Sequence, residues 1–523
     1  MQGTVLNRSL QKGDTMLSKL YSASTFGTEV YQLEIEVDVS GGLPVIAIVG
    51  LPDTAVRESR DRVKSAIKNS QFEYPRGRIT VNLAPADIKK EGPAFDLPIA
   101  LGILASTGQI SFNVLREFVF LGELALNGKI RPVKGVLPIA LSLRKSAIRK
   151  LIVPKDNAYE AAIIKEIDVY PVENLQEVAY LLSNFLEKKP LKLEINELIE
   201  KKEYDIDFSE VKGQYLVKRA LEVAASGFHN ILMIGSPGSG KTMLVKRLPT
   251  ILPEMTIEEI FETTKIYSIA GLLNKEMPLI TTRPFRAVHH TSSDIALVGG
   301  GQNPKPGEVS LSHNGVLFLD ELPEFHRDAL ESLRQPVEDG KVTIARAART
   351  LTFLSNFLLA CAMNPCYCGY FTSSFKPCRC SSHQIQKYRS KISGPLLDRI
   401  DIHIEVPELK YEYLSSRKEE EPSSKIRERV EKAREIQLQR FKNSGIYFNS
   451  QMTDRMIKKF CTLDSEAENL LKMAIRELNF SARSYNKILK VARTIADLAD
   501  SEKITSDHIS EAVQYRSLDK ELF

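Results

Sequence analysis

An apolar run, Ile231-Leu232-Met233-Ile234, leads directly into Gly235-Ser236-Pro237-Gly238-Ser239-Gly240-Lys241-Thr242, and this junction constrains the chain more than any other feature. The segment matches G-x-x-x-x-G-K-[ST]. Its glycines let backbone N–H groups close around phosphates, the lysine adds a point charge, and the final hydroxyl can reach Mg²⁺. Chance produces this pattern in roughly one chain of this length in fifty. The alternative is a coincidental glycine-rich turn, but a strand before the loop and a helix after it are what phosphate binding needs. The reading is therefore a nucleotide site with ATP and Mg²⁺ as cofactors.

Further along, Val316-Leu317-Phe318-Leu319 is an apolar strand ending in Asp320 and Glu321. Asp320 is placed to hold the metal and Glu321 to polarise an attacking water; two acids capping a helix are the alternative. A strand over Phe353–Ala362 leads to Asn364, whose amide can sense a γ-phosphate. Arg399 precedes an alternating strand over Ile400–Val406. It is read as a finger reaching a neighbour's nucleotide, against an intrachain pair with Asp398 or Asp401. Strands alternating with helices predict a parallel sheet covered by helices.

The length of 523 residues suggests about three domains. From Tyr31 to Val39 apolar and polar residues alternate, as in a half-buried strand. Gly41-Gly42 turns the chain into a second, more buried strand over Pro44–Val49. Asp53 is a plausible N-cap for a helix showing Val56, Val63, Ala66 and Ile67 on one side. Asn127-Gly128 predicts a tight hairpin, since both residues tolerate positive φ. Ser465-x-x-Glu468 looks like a capping box before Leu470, Leu471, Ala474 and Leu478. The expected division is an extension over 1–15, with Met1 or Met16 as the start, and a mixed α+β domain over 16–186. A Lys/Glu-rich linker follows over 187–205, then the nucleotide domain over 206–414 and a helical domain over 415–523.

The phosphate loop, Val316–Glu321, Ser393-Gly394-Pro395-Leu396-Leu397-Asp398-Arg399 and Ser481-Ala482-Arg483-Ser484-Tyr485 together resemble the magnesium-chelatase-like AAA+ proteins, within them the YifB/ComM group. The resemblance runs from about Met16 to the C-terminus. It implies that Arg399 is the finger acting in trans and that Arg483, on a helical lid, is a second sensor of nucleotide state. A surface helix arginine is the alternative for Arg483. The front domain resembles the proteolytic domain of Lon. Glu91-Gly92-Pro93-Ala94 is similar to its nucleophile loop, and Gly122-Glu123-Leu124 through Gly135 to its later hairpin. Ala94 stands where the serine would be and Ile139 where the lysine would be. A Ser–Lys dyad needs a hydroxyl and an amine, so peptide hydrolysis is not expected. The domain is read instead as a scaffold or binding module.

Cys366-x-Cys368 and Cys378-x-Cys380 follow Asn364 closely. Four thiolates suit tetrahedral Zn²⁺, with His383 able to replace one of them; four reduced cysteines are the alternative. Asp339-Gly340-Lys341, Arg346 and Arg349 read as a basic hairpin pointing into a ring's pore, to bind DNA phosphates without reading sequence. A solvated charged hairpin is the competing reading. His289-His290 and Gly299-Gly300-Gly301 form an insertion without an assigned role.

A net charge of +5 permits a basic surface without arguing for one, and six cysteines fit a reducing, cytoplasmic setting. The best apolar run, Leu97 to Ala105, is half of what a membrane span needs, and the first residues lack a signal peptide's apolar core. The resemblance implies a homo-oligomeric ring, expected to be a hexamer. In that ring ATP would drive single- or double-stranded DNA, in branch migration or helicase action during natural transformation and recombination. The rivals are a magnesium-chelatase-type subunit and an ATP-dependent protein-remodelling factor with a dead Lon-like domain. A Lon-like protease is the weakest option.

Overall fold

The computed structural model describes residues 17–87, 89–185, 188–198, 204–301, 304–345, 350–409, 420–478 and 480–518. The expected N-terminal extension, Met16, Arg346 and Arg349 lie outside the described residues. The chain forms two compact units: residues 1–200 with 264–279, and residues 201–263 with 280–523.

The first unit holds a mixed sheet of seven strands. In spatial order they are Ile46–Val49, Arg78–Ala84, Glu29–Ser40, Ser18–Phe26, Phe118–Phe120, Lys150–Pro154 and Asp168–Val172. Leu33, Ile35 and Val37 point into the core, the half-buried strand that alternation predicts. Asp53 caps the helix Thr54–Asn69, accepting from the Val56 N–H at 2.8 Å, and Val56, Val63, Ala66 and Ile67 are buried. Ile46–Val49 departs from expectation. It is an edge strand paired only with Arg78–Ala84, and its flanks are open, with Leu43 83% and Leu51 57% exposed. At Asn127-Gly128 the hairpin forms between Glu123–Leu124 and Ile130–Arg131, but only Gly128 takes positive φ, at 82°. Within the expected linker, Leu191 N–H donates to Val169 O at 2.8 Å and Leu193 N–H to Ala162 O at 3.2 Å, and Ile195–Leu198 form a short helix.

The second unit is built on a five-stranded sheet, all parallel, in the order Phe285–Val288, Val316–Leu319, Leu358–Met363, Ile231–Ile234, Ile402–Glu405. The central strands are buried on both faces, which is why they read as unbroken apolar runs. The expected strand over Phe353–Ala362 is in fact two. Thr350–Leu354 pairs with Lys341–Ala345 in a separate hairpin, and Leu358–Met363 joins the sheet after a break at 355–357. Asp339-Gly340 is not the tip of that hairpin; Gly340, at φ 62°, ends the helix Arg334–Asp339.

C-terminal helices Ser423–Arg440, Asp454–Phe460, Ser465–Leu478, Ala482–Leu498 and Ser506–Gln514 share one core with Ile231, Met233, Val316 and Phe318 of the sheet. The third of them starts one residue earlier than a cap at Ser465 requires: Asp464 accepts from Ala467 N–H at 2.7 Å, and Ser465 is already helical. No described helix is long and apolar enough to cross a membrane.

One buried ion cluster fastens these helices to the sheet side of the unit. Glu259 is fully buried and accepts from Arg283 at 3.0 and 3.2 Å and from Arg434 at 3.0 Å, while Arg434 stacks 3.8 Å above the Phe448 ring. Burial pushes the Glu259 carboxyl up, but the two guanidiniums outweigh it and hold the group below its ordinary value. Glu259→Gln leaves both cations buried without a counter-charge, so we expect a loss of about 3–5 kcal/mol in urea unfolding at neutral pH. Because the folded carboxyl titrates below the unfolded one, its contribution is complete above about pH 4.3 and is lost as pH falls. The Gln variant is therefore also expected to lose less stability between about pH 5 and 3 than wild type. Equal acid sensitivity of the two proteins contradicts this account of the cluster.

Candidate active site

The phosphate loop, the carboxylates Asp320 and Glu321, and Asn364 each follow the C-terminal end of a strand in one parallel sheet. Register places Ile234 beside Met363 and Leu319 beside Cys361, so the segments starting at Gly235, Asp320 and Asn364 emerge side by side. The loop 235–240 turns into the helix Lys241–Arg247 through Gly238 at φ 80° and Gly240 at φ 93°, conformations that side chains with a Cβ rarely adopt.

Lys241 reaches back across the loop. Its Nζ donates to Gly235 O at 2.7 Å, Ser236 O at 2.9 Å and Asn364 Oδ1 at 3.3 Å. Burial lowers its pKa, and the carboxylates of Asp320 and Glu321 act in the opposite sense. Thr242 Oγ1 donates to Asp320 Oδ2 at 2.7 Å, so the hydroxyl and carboxylate that would share a cation already meet. Ser239 Oγ is buried without a hydrogen-bond partner among the described residues. A lysine held only by neutral acceptors, glycines that open the loop backbone, and a touching Thr–Asp pair fit a nucleotide phosphate with Mg²⁺. Gln214 braces the loop from behind, with Nε2 donating to Ser239 O at 3.3 Å and Pro407 O at 2.7 Å.

Glu321 sits at φ 54°, uncommon for a residue with a side chain, and its N–H donates to Asp320 Oδ1 at 2.9 Å. The bend points its half-exposed carboxylate away from the strand, where His290 Nδ1 lies 3.5 Å from Glu321 Oε2. His290 is a site residue that sequence reasoning left unassigned. The signal was present but faint, because Phe285–Val288 is a short strand interrupted by Arg286.

Arg399 and Arg483 meet at Glu338, and neither is among the hydrogen-bond partners of Lys241. Arg399 donates through Nη1 to Pro395 O at 2.7 Å and through Nη2 to Glu338, and Arg483 Nη2 lies 3.6 Å from the other oxygen of Glu338. The partner of Arg399 is thus Glu338 rather than Asp398 or Asp401. Asp401 is taken by Lys487, which also donates to Arg399 O at 2.8 Å. Both arginines border an open cavity of about 660 Å³ that Glu338, Asp339 and Lys490 also line.

The cysteines converge: the sulfurs of Cys366, Cys368, Cys378 and Cys380 all lie within 4.8 Å of one another, and none is in a disulfide. His383 is on the neighbouring helix Ser382–Arg389 and is not one of the group. N–H groups of Arg379 and Tyr370 draw the Cys368 thiol down to about 6. At Cys378 the N–H of Cys380 acts the same way, but desolvation and the sulfurs of Cys368 and Cys366 prevail and push it up to about 12. Of the expected DNA contacts, Lys341 is exposed at the base of its hairpin, and Arg346 and Arg349 fall outside the described residues.

Comparison with known proteins gives this arrangement a family. Residues 207–414 match the family described as magnesium chelatase, subunit ChlI; residues 420–516 match its C-terminal part, and residues 35–157 match a family described as subunit ChlI of Mg-chelatase. Competence protein ComM of Haemophilus influenzae is 45% identical over 508 residues, covering 96% of this chain and 98% of that protein. The uncharacterised protein YifB of Escherichia coli is 41% identical over 507 residues, with the same coverage. Lon protease 2 of Bacillus subtilis is 29% identical over 184 residues, covering 31% of this chain and 33% of that protein. The chain therefore belongs to the ComM/YifB family of magnesium-chelatase-type AAA+ proteins.

Proposed function

We propose that this chain is an ATP-driven motor that moves DNA through a cytoplasmic homo-oligomeric ring, a hexamer, during natural transformation and recombination. The observation that carries the ATP half is the meeting of Thr242 and Asp320 beside Lys241 at the end of the parallel sheet. In this reading the loop from Gly235 to Gly240 and Lys241 bind the phosphates, and Thr242 and Asp320 hold Mg²⁺, which neutralises charge on them when bound. Glu321 orients and deprotonates the attacking water. Asn364 responds to the phosphate through Lys241. Arg399 serves the nucleotide of a neighbouring copy, a contribution of about 10³–10⁵ in rate where such fingers act. Arg483 reports nucleotide state from a helical lid over 415–523. Zinc occupies the four cysteines.

The DNA half is supported by two observations. One is the hairpin Lys341–Ala345 and Thr350–Leu354, whose connecting sequence carries Arg346 and Arg349. Such side chains hold phosphates of either single- or double-stranded DNA without reading bases. The other is the Haemophilus relative, named as a competence protein. The front domain, residues 16–186, is Lon-like and proteolytically dead, with Ala94 and Ile139 at the dyad positions.

A chelatase-type subunit is the second reading, favoured by the match of residues 207–414 to the magnesium chelatase subunit ChlI family. The front domain does not argue against it, because residues 35–157 match a family described as a chelatase subunit too.

Lys241→Ala is expected to lose binding of a fluorescent ATP analogue. Glu321→Gln is expected to bind ATP normally and hydrolyse it about 10²-fold or more slowly. Normal turnover in Glu321→Gln sinks the assignment of the base. On a labelled three- or four-stranded DNA junction with ATP, wild type is expected to displace a strand and Glu321→Gln is not. Intact ATPase activity that ignores DNA and displaces nothing moves the function to the chelatase or protein-remodelling reading.

A further inference from the structure

Residues 365–381 connect the strand Leu358–Met363 to the helix Ser382–Arg389 with no regular secondary structure. Long connections of this kind are uncommon in compact domains and need something to fix their shape. Apolar packing does little of it here, since Tyr367, Phe371 and Phe375 are 47%, 45% and 62% exposed. The feature that does close the loop is its cysteines, which bring its two ends together.

The sulfur geometry identifies what those cysteines are arranged around. Cys366 Sγ is 3.4 Å from Cys368 Sγ and 3.7 Å from Cys378 Sγ, and Cys368 Sγ is 3.6 Å from Cys378 Sγ. A disulfide bond is about 2.05 Å long, far shorter than any of these. Four sulfurs about 2.3 Å from a central Zn²⁺ in a tetrahedron stand about 3.8 Å apart, close to the separations among Cys366, Cys368 and Cys378, with the Cys380 sulfur within 4.8 Å of the other three. Backbone groups complete the arrangement: Cys368 N–H donates to Cys380 Sγ and Cys380 N–H to Cys378 Sγ, both at 3.4 Å. Such N–H···S bonds offset negative charge on thiolates and orient them. Four thiolates in a closed tetrahedral set select Zn²⁺ over harder cations.

The same loop forms one wall of the phosphate site. Cys366 comes two residues after Asn364, which accepts from Lys241. Gly369, at φ 82°, lies so close to the phosphate loop that an added Cβ would come within 2.5 Å of Pro237 Cδ. The cysteine loop and the phosphate loop therefore meet backbone to ring, with no flexible side chain between them to absorb a displacement.

We propose that Cys366, Cys368, Cys378 and Cys380 form a Zn²⁺-thiolate staple that holds Asn364 and Gly369 against the phosphate loop, so that metal occupancy sets nucleotide affinity. The proposal rests on the assignment of residues 235–242 as the nucleotide site. The four cysteines lie outside the loop 235–242, so the effect is a coupling between two sites. Coupling is reciprocal: whatever factor zinc adds to nucleotide affinity, nucleotide adds to zinc retention.

The test uses the full-length chain and four measurements: zinc content by mass spectrometry, binding of a fluorescent ATP analogue, zinc release to a coloured chelator with and without ATP, and circular dichroism. One zinc per chain is expected. Metal-stripped protein and Cys378→Ser/Cys380→Ser are each expected to bind the analogue about tenfold more weakly with secondary structure retained. Added Zn²⁺ should restore the stripped protein but not the variant, and ATP should slow zinc release. Gly369→Ala, with its cysteines intact, covers the case of a double variant that fails to fold: it should keep zinc and still lose nucleotide affinity. Substoichiometric zinc overturns the metal site. One zinc per chain with unchanged nucleotide affinity after stripping, and in Gly369→Ala, overturns the staple while leaving the metal site standing. Wild-type protein that holds zinc and binds no nucleotide overturns the nucleotide assignment, and this inference with it.

Discussion

All strands of a parallel sheet end at the same edge, and the chemistry of this chain depends on that. Ile231–Ile234, Val316–Leu319 and Leu358–Met363 lie side by side in register, so the residues after them meet although they are far apart in sequence. Each strand delivers one part: a loop with Lys241 and Thr242, the carboxylates Asp320 and Glu321, and the amide of Asn364. Each part is then fixed locally. Glycines at positive φ turn the first, an uncommon backbone bend at Glu321 aims the second, and a hydrogen bond to Lys241 holds the third. Buried strands supply the rigidity, since they contribute apolar side chains to both faces of the sheet.

Neither Arg399 nor Arg483 joins the hydrogen bonds of Lys241. Arg399 and Arg483 both turn to Glu338, and Lys487 ties the helix of Arg483 to the Arg399 backbone and to Asp401. The two arginines therefore behave as one assembly with a shared carboxylate anchor. Glu338 lies at the end of the helix Arg334–Asp339, just before the hairpin that begins at Lys341. In the ring proposed above, this assembly would face the nucleotide of the next copy, so that each site would be completed between two chains.

The sequence made the phosphate loop and the two carboxylates legible because their chemistry demands fixed spacing on fixed elements. Lys241 must follow the loop at once, and Asp320 must end a strand. Long-range partners carry no such spacing. Glu338 is one acid among many until folding brings it to Arg399, and His290 follows a strand too short and too polar to stand out. Local errors had local causes. Ile46–Val49 is apolar and was expected to be buried, yet apolar content does not distinguish a central strand from an edge one. Phe353–Ala362 reads as one run because Ser355 and Asn356 break it too briefly to show. Asp464 outcompeted Ser465 as a cap because a carboxylate accepts the Ala467 N–H as well as a hydroxyl does. The cysteines were visible as a cluster, but their mutual distances required the fold.

The claim that the site is completed by a second copy is tested most directly by mixing two inactive variants. Lys241→Ala keeps its arginines and has no usable nucleotide loop; Arg399→Ala keeps its loop and has no finger. If Arg399 serves the neighbouring site, each protein alone is inactive, and equimolar mixtures recover ATP hydrolysis where a Lys241→Ala copy presents Arg399 to an Arg399→Ala loop. If mixtures form a common ring and stay as inactive as their components, Arg399 does not act across the boundary, and the two-chain site is wrong.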